Sequence, residues 1–196
     1  MSDFLQTMAR SSAERAAAVA SIPASALDKP LVPLRLGEFD VIAEIKNRSP
    51  AEGLLSEEAA SREDRAHQYA AGGAAAISVL TEPSRFDGAI EHLEEVVAAV
   101  PDTPVMRKDF LVDPIQVVEA RQAGASGVLL IVTMLTDRQL RGMLDCAAEH
   151  GLFVLLESFD EDDLGRAARL LENAPDAARI ADGQLLFGVN TRDLRT

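Results

Sequence analysis

Six short apolar runs recur at a nearly constant spacing, and this spacing limits the folds that the chain can adopt. The runs are rich in Val, Ile, Leu and Phe, and they lie at 41–46, 75–81, 104–110, 127–133, 152–158 and 185–190. From Ile42 to Leu186 they follow one another every ~29 residues, which is the length of a β-strand plus a crossover helix. Two α/β architectures fit this spacing: a doubly wound open sheet and a (β/α)8 barrel.

The segments between the runs carry helix-start signals. Apolar residues at helical spacing follow Ser56-Glu57-Glu58, Asp87, Asp113-Pro114, Thr136 and Asp160, so we expect a helix to open at each of these points. No glycine-rich dinucleotide or Walker-type loop follows the first run, which disfavours a nucleotide-binding open sheet and favours the barrel. We expect residues 173–184, between the fifth and sixth runs, to be a surface insertion.

Charge and composition exclude several classes of function. The chain has 19 Lys and Arg against 32 Asp and Glu, a net charge of −13, and no basic stripe, so we expect no nucleic-acid partner. No apolar stretch is long enough to cross a membrane, and no secretory signal is visible at the N-terminus. The single cysteine, Cys146, excludes a disulfide framework and a multi-cysteine metal site, and together these features favour a cytoplasmic location.

Ionisable and amide side chains end four of the six apolar runs. Glu44 and Lys46 share one face of the first run, Lys108 ends the third, Glu157 ends the fifth and Asn190 ends the sixth. In parallel α/β folds the active site is built where the strands end. We therefore expect these side chains to line one pocket, where opposite charges can shift pKa values for acid–base chemistry.

Several of these segments resemble the signatures of one enzyme family, indole-3-glycerol phosphate synthase. The segments are 43–50 (AEIKNRSP), 78–82 (SVLTE) with 86–88 (FDG), 107–110 (RKDF) with 113–114 (DP), 155–157 (LLE) and 188–194 (GVNTRDL). The resemblance runs in order from about residue 4 to residue 196. It implies a (β/α)8 barrel and a carbon–carbon lyase of tryptophan biosynthesis. This lyase closes the ring of 1-(2-carboxyphenylamino)-1-deoxyribulose 5-phosphate with loss of carbon dioxide and water.

The resemblance also implies roles for four ionisable residues. Lys108 would be the general acid that protonates the substrate carbonyl, and Glu157 the base or proton relay of the dehydration. Lys46 would contact the phosphate or carboxylate of the substrate and assist proton transfer, while Glu44 would hold the lysines and contact the substrate. No metal and no organic cofactor is implied.

Five further residues would contact the substrate if the resemblance holds. Asn190 would orient its polar atoms and Arg192 would bind the anthranilate carboxylate. Ser49, Phe86 and Phe110 would line the pocket, with the two phenylalanines against the aromatic ring. The implied partner is therefore a small anionic phosphate.

The sequence ends just after the sixth apolar run, although a complete barrel has eight strands. We expect an N-terminal helical extension over residues 1–40 and a partial barrel over 41–196, within a single domain that lacks strands seven and eight. This makes activity of the isolated chain doubtful, and the expected partners include a complementing C-terminal segment or other tryptophan-pathway domains. Two alternatives stay open: a non-catalytic partial barrel that needs such a fragment, and another phosphate-binding barrel enzyme such as phosphoribosylanthranilate isomerase.

Overall fold

Strands and helices alternate along the chain as the apolar spacing predicts. The computed structural model describes residues 2–49, 53–54 and 61–191. The helices are α1 (Asp3–Ala18), α2 (Arg62–Ala71), α3 (Pro83–Phe86), α4 (Ile90–Ala99), α5 (Pro114–Ala123), α6 (Asp137–Glu149), α7 (Glu161–Leu170) and α8 (Ala174–Ala181). The strands are β1 (Ile42–Ile45), β2 (Arg48–Ser49), β3 (Gly53–Leu54), β4 (Ala76–Leu80), β5 (Val105–Lys108), β6 (Gly127–Ile131), β7 (Phe153–Ser158) and β8 (Leu185–Val189). Each of the six predicted strands is present, as β1 and β4 to β8.

The chain divides into two compact units. Unit A comprises Ala24–Asp109 and Ala120–Gly127, and unit B comprises Met1–Pro23, Phe110–Glu119 and Val128–Thr196. The predicted α/β class is confirmed, because parallel strands alternate with helices in both units. These six strands and their helices correspond to six of the eight strands of a (β/α)8 barrel, so the fold is an incomplete barrel as predicted.

Unit A is built around the parallel strands β1, β4 and β5, which lie side by side in that order. Helices α2 and α4 pack against each other; α2 also lies on β1 and β4, and α4 lies on β4 and β5. All five residues of β4 are buried, as a parallel strand with both faces covered requires. The register pairs Glu44 of β1 with Ser78 of β4, and Leu80 of β4 with Lys108 of β5. These pairings set where the strand ends of unit A present their polar residues.

Unit B holds the strands β6, β7 and β8, with β7 and β8 parallel. Helices α6 and α7 lie on β7, and α8 lies on β8. The N-terminal helix α1 is amphipathic, since Leu5, Met8, Ser12 and Ala16 are its buried residues. Its Ser12 Oγ accepts a hydrogen bond of 2.9 Å from the Gln116 side chain of α5, so a buried polar contact fixes α1 to this unit.

Most of the expected helix starts are confirmed by the cap geometry. Pro114 is the first residue of α5, Thr136 caps α6 with a reciprocal bond to Gln139, and the side chain of Asp160 caps α7. The expectation for Ser56-Glu57-Glu58 lies outside the described residues. The described part of α2 begins at Arg62, where Ser61 and Asp64 form a capping box.

One expectation for local structure is wrong. Asp87 does not open a helix: it ends the short helix α3 in the left-handed conformation, at φ 50°, and α4 begins three residues later without a side-chain cap. The stretch 173–184, expected as a surface insertion, is mostly exposed and contains α8, and the buried carboxylate of Asp176 binds Arg141 at 2.6 Å. That this stretch is an insertion stays a prediction. The division into an extension over 1–40 and a barrel over 41–196 stays a prediction.

Within residues 2–49, 53–54 and 61–191, no helix combines the length and the apolar character that a membrane span requires.

Gly88 lies so close to the end of β4 that a methyl group there cannot be accommodated without movement. A Cβ on Gly88 would lie 2.6 Å from the Thr81 carbonyl carbon and 2.7 Å from both the Glu82 nitrogen and the Leu80 oxygen. All three are backbone atoms, so no side-chain rotation relieves the clash. We expect Gly88→Ala to lower the free energy of unfolding by about 1–3 kcal/mol, measured by urea denaturation followed by circular dichroism.

Gly142→Ala is the matched control for this substitution. Gly142 lies inside α6 and its nearest contact to an added Cβ is Pro114 Cγ at 3.9 Å. There the methyl group meets no close atom and improves helix propensity, so stability should rise by up to ~1 kcal/mol. An unfolding midpoint of Gly88→Ala equal to that of the parent chain would contradict the proposed close approach.

Candidate active site

Three ionisable side chains meet at the strand ends of unit A and form what we call the lysine cluster: Glu44, Lys46 and Lys108. Glu44 Oε2 lies 2.5 Å from Lys108 Nζ, and Glu44 Oε1 lies 3.2 Å from Lys46 Nζ. The carboxylate therefore binds one ammonium group with each oxygen. The predicted meeting of these three residues is observed, although Glu44 and Lys108 are 64 positions apart in the sequence.

The fold explains why these side chains converge. Glu44 lies in β1, Lys46 follows its last residue by one position, and Lys108 is the last residue of β5. Strand β4 lies between β1 and β5, and all three strands are parallel, so their carboxyl ends reach the same edge. The side chains of the lysine cluster are only 23–32% exposed, so the charges interact in a partly desolvated setting.

The electrostatics of the lysine cluster favour an anionic ligand. Burial raises the pKa of the Glu44 carboxyl, but the charges and hydrogen bonds of Lys108 and Lys46 outweigh burial, and the net effect is a lowered pKa. Glu44 is therefore ionised at neutral pH. One carboxylate between two ammonium groups leaves one positive charge in excess, in a chain whose net charge is −13.

The backbone after β1 is held by residues of α2 and of the loop after β4. Arg65 Nη1 donates to the Lys46 carbonyl oxygen at 3.4 Å, and Arg62 Nη1 donates to Asn47 Oδ1 at 3.3 Å. The amide of Asn47 in turn donates to the carbonyl oxygen of Asp87 at 3.1 Å. These contacts fix the position from which Lys46 reaches Glu44, and no motif in the sequence indicates them.

Unit B brings together two further predicted site residues, Glu157 and Asn190. Glu157 lies in β7, and Asn190 directly follows β8. The Asn190 backbone N–H donates to the Ser158 carbonyl oxygen at 2.9 Å, and its side-chain amide donates to Glu157 Oε1 at 3.3 Å. Both side chains are half-buried. Asn190 therefore orients the carboxylate of Glu157 at the strand ends of this unit.

The remaining predicted contact residues fall into two groups. Phe86 is the last residue of α3 in unit A and is half-buried. Phe110, in unit B, is buried and packs edge-to-face on Phe4 of α1 with ring centroids 5.8 Å apart. Ser49 lies in β2, but its side chain is outside the described residues, as is Arg192.

The single cysteine does not lie at a strand end. Cys146 is in α6, and its thiol contacts the Pro114 carbonyl oxygen at 3.6 Å. Burial, followed by the nearby carboxylates of Glu149 and Asp113, raises the pKa of the thiol to about 11. The thiolate form is therefore scarce at neutral pH, which disfavours a role in catalysis.

The described part of the chain, 2–49, 53–54 and 61–191, gathers no group of three His, Cys, Asp or Glu side chains that could hold a metal ion. The expectation that the chain needs no cofactor stays a prediction.

Comparison with protein families identifies relatives over nearly the whole chain. The family model of indole-3-glycerol phosphate synthase matches residues 7–196. A curated indole-3-glycerol phosphate synthase from a Nocardioides species is 48% identical over 167 residues, which are 85% of this chain and 59% of the relative. One from Leifsonia xyli subsp. xyli is 44% identical over 186 residues, which are 95% of this chain and 65% of the relative. The chain thus spans about three fifths of the length of these curated relatives.

Among solved structures, a monomeric dihydrodipicolinate synthase variant is similar to the chain with a TM-score of 0.51 at 15% identity. The similarity covers 78% of this chain and 63% of the other. At this identity the likeness concerns the fold alone.

The ionisation of Glu44 reports on the lysine cluster directly. Its carboxyl should titrate below the usual value of 4.5, followed by the 13C resonance of the side-chain carboxyl in NMR. Lys108→Met removes the strongest favourable charge and leaves the burial, so the pKa of Glu44 should rise. Lys29→Met is the control, because Lys29 pairs with Glu94 in the same unit and should leave the pKa of Glu44 unchanged.

The same shift has a consequence for stability. A carboxyl with a lowered pKa in the folded state stabilises fully above its usual pKa, and this contribution is lost as the pH falls through the lowered value. Below pH 4.5 the free energy of unfolding should therefore fall more steeply for the parent chain than for Lys108→Met. Parallel pH profiles of the two proteins would contradict the ion pairing.

Proposed function

The chain belongs to the indole-3-glycerol phosphate synthase family, and from this premise we propose that it carries the acid–base residues of that synthase. The proposed substrate is 1-(2-carboxyphenylamino)-1-deoxyribulose 5-phosphate, which the enzyme converts to indole-3-glycerol phosphate with loss of carbon dioxide and water. The observation that carries the proposal is the lysine cluster, in which Glu44 holds two ammonium groups at 2.5 and 3.2 Å. The excess positive charge of that cluster suits a substrate that is anionic at both ends.

Ring closure is the step assigned to Lys108. The aromatic carbon that bears the carboxylate attacks the ketone carbon of the sugar chain, and the Lys108 ammonium gives a proton to the carbonyl oxygen as the new bond forms. General acid catalysis of this kind contributes ~10²–10⁴-fold. The carboxylate then leaves as carbon dioxide, and the electron pair of the broken bond restores the aromatic ring. The proposed reaction therefore needs no electron sink from a cofactor.

Dehydration is the step assigned to Glu157. The hydroxyl group formed in ring closure leaves as water, while a base removes a proton from the carbon next to the nitrogen. The hydrogen bond from Asn190 supports this role, because it keeps one oxygen of the Glu157 carboxylate oriented and leaves the other to act on the substrate.

Other residues are assigned to substrate binding. We place Lys46 against the phosphate or the carboxylate, Arg192 against the anthranilate carboxylate, and Ser49, Phe86 and Phe110 in contact with the substrate. The ring of Phe110 packs on Phe4, so Phe4 supports Phe110 from α1.

We also propose that the enzyme acts in the cytoplasm, where a single unpaired cysteine stays reduced.

The isomerase alternative loses support from the position of Cys146. That reaction would need a cysteine at a strand end to move a proton, whereas Cys146 lies in α6 with a thiol pKa of about 11. No observation favours the non-catalytic alternative, and the assay below separates it from the synthase.

The activity test uses two proteins, the chain itself and an extended chain that continues after Thr196 with the C-terminal part of the Nocardioides relative. Product formation is followed by the fluorescence of indole-3-glycerol phosphate. We expect turnover by the extended chain and a loss of ~10²–10⁴-fold in kcat on Lys108→Met, because the general acid is removed. Glu157→Gln should slow dehydration by a similar factor.

Lys29→Met in the extended chain is the matched control, since it removes an equal charge from an ammonium group that pairs outside the lysine cluster. Its kcat should equal that of the parent. An extended chain that binds the substrate without forming product would favour the non-catalytic alternative. Full turnover by Lys108→Met would disprove the role of Lys108.

A further inference from the structure

Lys108 stands between two buried residues of opposite charge. Arg107 precedes it and Asp109 follows it, and they are only 3% and 1% exposed. Because side chains alternate along a strand, both point away from the face on which Lys108 meets Glu44. The function proposed above makes no use of this pair.

Arg107 and Asp109 are joined through Thr81, which directly follows β4 and is itself buried. The Thr81 hydroxyl donates to Asp109 Oδ2 at 2.7 Å and accepts from Arg107 Nε at 3.1 Å. Arg107 Nη2 lies 3.3 Å from the same Asp109 oxygen. The three side chains form a closed triangle of hydrogen bonds, which we call the Thr81 network.

The Thr81 network is tied to the backbone of Lys108 as well. The Thr81 backbone N–H donates to the Lys108 carbonyl oxygen at 3.0 Å. Thr81 thus holds the carbonyl of Lys108 by its main chain and the residues on both sides of Lys108 by its side chain. This fixes the direction in which the lysine side chain leaves the strand.

A buried ion pair is an expensive way to stabilise a strand end. Desolvation of the two charges cancels much of their attraction, and apolar residues of similar size are often equally stabilising. What a hydrogen-bonded charge pair provides is a fixed geometry, since its donors and acceptors fit in one arrangement only. The position of the Thr81 network around Lys108 therefore points to alignment rather than stability.

We propose that Thr81, Arg107 and Asp109 are positioning residues that aim the Lys108 ammonium at Glu44. The link to catalysis rests on the function proposed above. The orientation of the Lys108 side chain toward Glu44 does not depend on that function. Loss of the network should let the end of β5 rotate, so that Lys108 no longer holds its short contact with the Glu44 carboxylate.

The test variant is Thr81→Val, which keeps the shape and the backbone N–H of Thr81 and removes only its hydroxyl. The readout is the pKa of the Glu44 carboxyl, measured on the present chain by 13C NMR. Because Lys108 lowers this pKa, we expect it to rise toward the usual value in Thr81→Val. Thr81→Ser retains the hydroxyl and should restore the lowered pKa.

The control is Asp176→Asn, which breaks another ion pair with a buried carboxylate, Arg141–Asp176 of unit B. Asp176→Asn should lower the unfolding temperature, because it removes a buried charge partner of Arg141, and it should leave the pKa of Glu44 unchanged. If Thr81→Val lowers the unfolding temperature but does not move the pKa of Glu44, the network is merely structural and the proposal is overturned. If Asp176→Asn moves this pKa equally, the effect is general loosening, and the proposal fails too.

A second variant covers the case in which Thr81→Val does not fold. Arg107→Lys keeps the charge but lacks the planar group that reaches Thr81 and Asp109 together, so it should move the pKa of Glu44 in the same direction. A folded Arg107→Lys with the parent pKa would overturn the proposal.

Kinetics on the extended chain add the link to catalysis. Thr81→Val should lower kcat by up to ~100-fold with little change in KM, since misplacement of a catalytic group affects the chemical step. If the parent extended chain shows no turnover, the proposed function fails, while the titration of Glu44 still decides the role of the Thr81 network. If kcat is unchanged while the pKa moves, the network orients Lys108 but does not serve catalysis, and the proposed link to catalysis is overturned.

Discussion

A single carboxylate, that of Glu44, has to hold two ammonium groups that the sequence supplies from different strands. Two lysines this close would repel each other, and each would lose part of its hydration at the strand ends. Glu44 resolves both problems by binding one lysine with each oxygen. This arrangement requires that β1, β4 and β5 keep their register, because sliding one strand by one residue would turn Glu44 or Lys108 to the opposite face.

The elements that keep this register are buried and partly polar. Strand β4 is buried along its whole length between β1 and β5. Thr81, which follows β4, donates a hydrogen bond to Asp109, which follows β5. The close approach of Gly88 to the same backbone holds the loop after β4 against the strand end. The lysine cluster thus depends on residues outside it, in β4 and in the loop that follows β4.

Much of the fold follows from the spacing of apolar residues alone. Burial on both faces produces continuous apolar runs such as that of β6, and such runs identify parallel strands without reference to their neighbours. Period-two alternation is enough to place Glu44 and Lys46 on one face of the first strand. The position of Lys108 at the end of the third apolar run then places it at the same edge of a parallel sheet. The helix start expected at Asp87 is wrong because aspartate is common in two places, before the first turn of a helix and, with a left-handed backbone, after the last turn. The sequence around Asp87 does not distinguish the two.

Partners across long sequence separations were harder to foresee. The charged segment Arg107-Lys108-Asp109 reads as one polar strand end, and nothing in the sequence shows that two of its charges are buried against Thr81. The same holds for Asp176 of α8, whose carboxylate is buried against Arg141, 35 positions earlier in the sequence. A charged residue within an apolar run is nevertheless a usable signal, since burial without a partner would be too costly.

The charge distribution connects these features to the proposed substrate. A chain with a net charge of −13 repels anions at long range, so an anionic substrate must be drawn in by a local field. The lysine cluster supplies that field while Glu44 neutralises one of its two lysines. Without Glu44, the two ammonium groups would repel each other and separate. With a second carboxylate, the net charge of the cluster would be zero and the field would vanish. Two lysines and one carboxylate leave one net positive charge in the lysine cluster, which suits the proposed anionic substrate.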